Sequence, residues 1–69
     1  MVNSKKLKSK MVLFGDNNGS LAKFLGITRQ SIGKKISGEQ DFWQIEIKKI
    51  SLRYKLTPNE ISEIFFEEV

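Results

Sequence analysis

An all-α fold is predicted by three features of this sequence. Apolar residues recur at spacings of three and four and almost never alternate, which is the period of a helix. Helix-start and helix-stop residues punctuate the chain, with Asn, Asp or Thr ahead of apolar-periodic runs and glycine behind several of them. The connections between runs are short, and only 69 residues hold them all. The chain therefore reads as one compact five-helix domain spanning 1–69.

The elements follow in order. Leu7, Met11 and Phe14 fall at i, i+4, i+7, which predicts a first helix from about Ser4 to Phe14 with these three inward. "GDNNG" ends it: Gly15 can take a left-handed cap, and Asn17 or Asn18 can cap the next helix. The second helix runs from about Asn18 to Leu25 and turns Leu21, Ala22 and Leu25 inward. Gly26 stops it, Ile27 continues the apolar face, and Thr28 is a natural N-cap for a third helix. In that helix Ile32 and Ile36 share the inner face, and Gly38 ends it. Asp41 and Gln44, three apart, have the form of a capping box and predict that a fourth helix starts there. Its inner stripe is Ile47, Ile50 and Tyr54. "TPNE" is the clearest start signal: Thr57 as cap, Pro58 in the first helical position, Glu60 completing the box. A fifth helix then carries Ile61, Ile64 and Phe65 inward.

Composition excludes several classes of function. A domain this small buries only roughly 60% of its unfolded surface and has little room for a deep cleft. The chain has no histidine and no cysteine, no phosphate-cradling glycine loop and no carboxylate pair in a plausible cleft. General acid–base work near neutral pH would need a strongly shifted Glu or Lys, so no enzyme, catalytic residue, cofactor, small-molecule substrate or metal site is expected. Glu67 and Glu68 read as a solvated helix end. Absence of cysteine suits a reducing compartment. The longest apolar run near the start, Met11 to Phe14, is far short of the ~20 residues a spanning helix needs. No membrane association is expected, and the location expected is cytoplasmic.

The net charge of +4 is unevenly distributed. Residues 1–38 hold eight basic residues and one acid, whereas residues 39–69 hold four basic residues and seven acids. A basic half beside an acidic half suggests a polyanion on one face, or an unevenly charged solvated surface. Lys5, Lys6, Lys8 and Lys10 scatter around the first helix, so a solvated face is the default reading. They can still raise non-specific affinity through counterion release.

"LAKFLGITRQSIGKK", Leu21 to Lys35, reads as two helices joined by a tight turn, the helix-turn-helix layout. Ala22 is small where two helices must approach, and Gly26 lets the chain turn sharply. The spacing Leu21-Ala22-x-x-Leu25-Gly26-Ile27, then Ile32 and Ile36, resembles the phage repressor and Cro family of helix-turn-helix proteins. "DFWQIEIKKI" and "LTPNEISEIFF" look like the fourth and fifth helices of small Cro-like regulators from phages of Gram-positive hosts. The resemblance covers roughly residues 4–66. It implies a lambda-repressor-like DNA-binding domain, with the helix-turn-helix at about 18–37, that regulates transcription by binding double-stranded operator DNA.

With Ile32 and Ile36 buried, Gln30, Gly33, Lys34 and Ser37 point outward at ~100° per residue, with Ser31 and Lys35 on one flank. Arg29 lies in the first turn, where a long side chain can reach into the groove. Arg or Lys can donate to guanine O6 and N7, and Gln can pair with adenine N6 and N7, so Arg29, Gln30 and Lys34 are the candidate base readers. Gly33 either lets the backbone close to DNA or marks a tolerant position. Candidate phosphate contacts are Asn18, Ser20, Thr28, Ser31, Lys35 and Ser37. Asn18 matches a family position where glutamine is usual and is one methylene shorter. Thr28 caps the third helix whatever else it does.

Further apolar residues fall outside the core stripes: Trp43, Ile45, Leu52 and Phe66. Scattered exposed apolar residues are normal, but clusters mark interfaces. Two partners follow. One is a homodimer through Phe66 and Phe65 on a near-palindromic operator. The other is a phage repressor protein, bound by a modulator or antirepressor whose acidic half meets a basic surface.

Overall fold

The computed structural model describes residues 2–66, and within them the chain is all-helical, with no strand. Five α-helices follow one another: α1 (Ser4–Leu13), α2 (Asn18–Leu25), α3 (Arg29–Ser37), α4 (Gln44–Arg53) and α5 (Pro58–Ile61). A π-helical turn, Ser62–Phe66, continues α5. Glu67 and Glu68, read above as a solvated end, lie outside the described residues. No helix among the described residues is long and apolar enough to cross a membrane.

Capping chemistry sets most boundaries. The Asn17 side chain accepts from the Ser20 backbone N–H at 2.9 Å, and Ser20 Oγ accepts from the Asn17 N–H at 3.0 Å, a reciprocal box at the start of α2. Thr57 and Glu60 make the same box for α5, with Pro58 at its first position. Gly26 leaves α2 at φ 75°, a left-handed conformation that a side chain would strain, and so turns the chain into Ile27 and Thr28.

The core gathers the inward faces of the first four helices and the π-helical turn: Leu7 and Met11 of α1; Leu21, Ala22 and Leu25 of α2; Ile32 and Ile36 of α3; Ile50 of α4 and Tyr54 at its end; Ile64 and Phe65 of the last turn. Ile27, Ile47 and Ile61 are half-buried around it. Burying such side chains contributes about 1.5–3 kcal/mol each, which is what holds helices this short in place. The first residues of the chain knit ends together. The Asn3 N–H donates to the Ile64 carbonyl at 2.6 Å, and Ser4 Oγ donates to the Ile36 carbonyl. Two late helix ends are thereby satisfied by the start of α1.

Two sequence expectations need correction. Phe14 is not core: it is the C-cap of α1, exposed, with its ring 5.3 Å from Tyr54. Position 14 falls where the helix ends, so the ring lies across the rim of the core. The fourth helix also begins later than the Asp41–Gln44 pairing implies. Trp43 is its N-cap, and Glu46 accepts from the Trp43 backbone N–H at 2.8 Å. Residues 41–43 remain non-helical while Phe42 packs edge-on against Phe65 with centroids 5.4 Å apart.

Candidate nucleic-acid interface

The segment singled out by sequence is α2, the connection Gly26-Ile27-Thr28, and α3. The two helices pack through Leu21, Ala22 and Leu25 on one side and Ile32 and Ile36 on the other. Thr28 Oγ1 accepts from the Ser31 N–H at 3.0 Å and starts α3, its expected capping role. The fixed inner face of α3 sets which residues are left outside.

Arg29 and Gln30 are exposed in the first turn, and Lys34 is half-exposed one turn on. Gly33 lies between them with nothing within 4 Å of where a Cβ would be, so the helix backbone there is open to solvent. Neither Gln30 nor Lys34 has a side-chain partner among the described residues, so their donors are available. Asn18 is exposed in the first turn of α2, and Ser37 is exposed at the end of α3, its Oγ on the Lys34 carbonyl. Ser31 is half-buried.

Two expected phosphate contacts are otherwise engaged. Lys35 is only 5% exposed: its Nζ is 2.6 Å from Glu46 Oε1 and 4.7 Å from the centre of the Trp43 ring. At ~100° per residue it lies on the flank beside Ile32, the side that meets the start of α4, so it joins the two helices. Ser20 is occupied twice, as the capping partner of Asn17 and as a donor to Asp16 Oδ1 at 2.7 Å.

Behind α2, Asp16 organises a polar cluster. Its carboxylate, 4% exposed, accepts from Arg53 Nε at 2.7 Å, Arg53 Nη2 at 2.8 Å, Tyr54 Oη at 2.7 Å and Ser20 Oγ at 2.7 Å. The Arg53 hydrogen bonds, opposed by burial, hold Asp16 well below the usual carboxylate range. Asp16 in turn pushes the Arg53 guanidinium up, and burial first, then Asp16, pushes the Tyr54 hydroxyl up. Arg53 also stacks 4.3 Å from the centre of the Phe24 ring. Asp16 thus ties the α1–α2 connection to the end of α4.

Among the described residues, three acids of the second half are paired with lysines. Glu46 pairs with Lys35, Glu60 with Lys10 at 2.5 Å, and Glu63 with Lys6. The Lys10 hydrogen bond, then the Thr57 backbone N–H, holds Glu60 below its ordinary value.

The expected apolar surface also divides. Phe65 is core with Ile64, as the spacing from Ile61 predicts, and is not available to an interface. Leu52 and Phe66 are exposed on one groove with Ile47, Leu56, Ile61 and Lys48. Trp43 is 68% exposed on a different groove, beside Ile27, Ser31 and Asp41. Ile45 is exposed on α4 and lines neither.

Sequence reasoning passed over Glu46, although its position four before Ile50 placed it on the inner stripe of α4. It also passed over Gly19, in the first turn of α2. No protein-family model, curated protein or solved structure matches this chain.

Proposed function

We propose that this chain is a phage-type transcriptional regulator whose α2 and α3 form a helix-turn-helix, with α3 entering the major groove of operator DNA as a Cro-like repressor. The observation that carries the reading is the outer face of α3. Gln30 and Lys34 project from it with free donors on either side of the bare backbone at Gly33, while Ile32, Lys35 and Ile36 anchor the opposite side. A helix held rigidly by its inner face and left polar, basic and unencumbered on its outer face suits direct reading of base edges. Gln30 can pair with adenine, and Arg29 and Lys34 with guanine. Asn18, Ser31 and Ser37 flank these residues and suit backbone phosphates, with Thr28 presenting the helix N-terminus.

Selecting duplexes from a random pool with the full chain, then titrating the enriched duplex across a salt series, tests this. Enrichment of a specific sequence and a steep loss of affinity with salt are expected. No enrichment, or a flat salt dependence, rejects the reading.

The groove of Leu52 and Phe66 favours a second reading, a modulator acting through a partner phage repressor. This groove is apolar and is bordered by Lys48, while Glu46, Glu60 and Glu63 are paired internally. DNA binding seen only when the cognate repressor is added supports this alternative. Light scattering tests the homodimer, which a clean monomer at high micromolar concentration excludes.

A further inference from the structure

We infer that Gly19 is a positioning residue for Arg29, an inference that rests on the DNA-binding reading above. Gly19 is in the first turn of α2, and Arg29 opens α3. The guanidinium of Arg29 lies across the bare backbone of Gly19. A Cβ built at position 19 would come within 2.4 Å of Nη2, 3.1 Å of Cζ and 3.2 Å of Nε. No carboxylate pairs with Arg29 and no aromatic ring stacks on it among the described residues, so this seat is the contact that restricts its long side chain. Arginine reads bases and phosphates through a rigid planar fork, and a fork already held in place loses less freedom on binding. The long side chain of Arg29 spans from the start of α3 to the first turn of α2, and the missing side chain at 19 leaves space for its fork there.

Fold and binding respond with opposite signs. The atoms a Cβ would strike are the far end of a flexible side chain, so Gly19→Ala pushes the guanidinium aside without disturbing the backbone. Alanine is also the better helix former. The experiment uses the full chain and a duplex enriched by the wild type from a random pool. It compares Gly19→Ala, Arg29→Ala and the double variant by binding titration, and the singles by thermal melting and by repeating the selection.

Gly19→Ala is expected to melt at or above the wild type yet bind the enriched duplex about tenfold more weakly. The double variant should bind like Arg29→Ala alone, because both changes act on one side chain. The repeated selection should relax preference at the same base position for both singles. Normal binding by Gly19→Ala alongside weak binding by Arg29→Ala overturns the inference and leaves the DNA-binding reading standing. Additive losses in the double variant overturn it too. If the wild type enriches no duplex, the reading fails and the inference falls with it.

Discussion

Replacing Asp16 by asparagine keeps the shape of the side chain and removes its charge at the centre of the polar cluster. Each carboxylate oxygen accepts two hydrogen bonds, one from Arg53 and one from a hydroxyl. Whichever oxygen becomes an amide nitrogen therefore confronts two donors. The hydroxyl can rotate and accept, but the guanidinium cannot. Two charge-assisted hydrogen bonds at about 1.5–3 kcal/mol each set an upper bound of about 3–6 kcal/mol. Arg53 is about one-third exposed and regains water, which reduces the expected loss to about 2–4 kcal/mol. In a domain this small that lowers Tm by about 10–25 °C.

The acid limb supplies a second readout for the same substitution. Asp16 has a folded-state pKa depressed below its unfolded value of about 4, so its stabilisation is fully present above that value and is lost as pH falls from there through the lower folded-state value. Thermal melts of the wild type should therefore fall steeply below about pH 5, and those of Asp16→Asn should be flatter. Denaturant unfolding and melts between pH 7 and pH 2 read both effects. A loss under about 1 kcal/mol at pH 7, or parallel acid limbs, would refute the idea that this carboxylate joins the α1–α2 connection to α4.

Three further outcomes follow from the packing. Gln30→Ala and Lys34→Ala should each weaken binding of a selected duplex about tenfold while changing Tm little, since neither side chain has a hydrogen-bond or ion-pair partner among the described residues. Unchanged binding in both would remove α3 from the interface. Ala22→Leu should destabilise by about 1–3 kcal/mol or more in denaturant titrations, because the added methylenes have nowhere to go between α2 and α3. Lys35→Ala should cost about 3–5 kcal/mol by stranding the Glu46 carboxylate, whereas Lys35→Met with Glu46→Gln should recover most of it; equal losses in the two would argue against a stranded charge.

The helices were legible because their signals are local. Thr28, Thr57 and Pro58 start helices, Gly26 and Gly38 stop them, and the apolar spacing within each run needs no knowledge of its neighbours. What escaped depends on contacts between distant segments. The sequence marks Glu46 and Lys35 only as charges, and their pairing arises because α3 and α4 meet at that level. Asp16 reads as the lone acid of a basic half, yet its partner Arg53 is thirty-seven positions away. Phe65 and Phe66 are adjacent and equally apolar, and helical spacing from Ile61 and Ile64 already separates them, Phe65 inward and Phe66 outward; the π-helical form of that turn had no local signal. Within the candidate site, the outward positions of α3 follow from helical period alone. The seat at Gly19 depends on where the end of the Arg29 side chain comes to lie in three dimensions.

Trp43 gives the molecule an optical property of its own. It is the only tryptophan in the chain, and it is already largely in water when the protein is folded. Unfolding therefore changes its surroundings little, so its emission is a poor gauge of denaturation. Its indole does, however, cover the Lys35 ammonium and shares a groove with Ser31 of α3. A ligand settling against that side of α3 alters the polarity and quenching around the ring directly. Intrinsic fluorescence should thus respond to anything that settles by Ser31 and Lys35, while melting is better followed by circular dichroism.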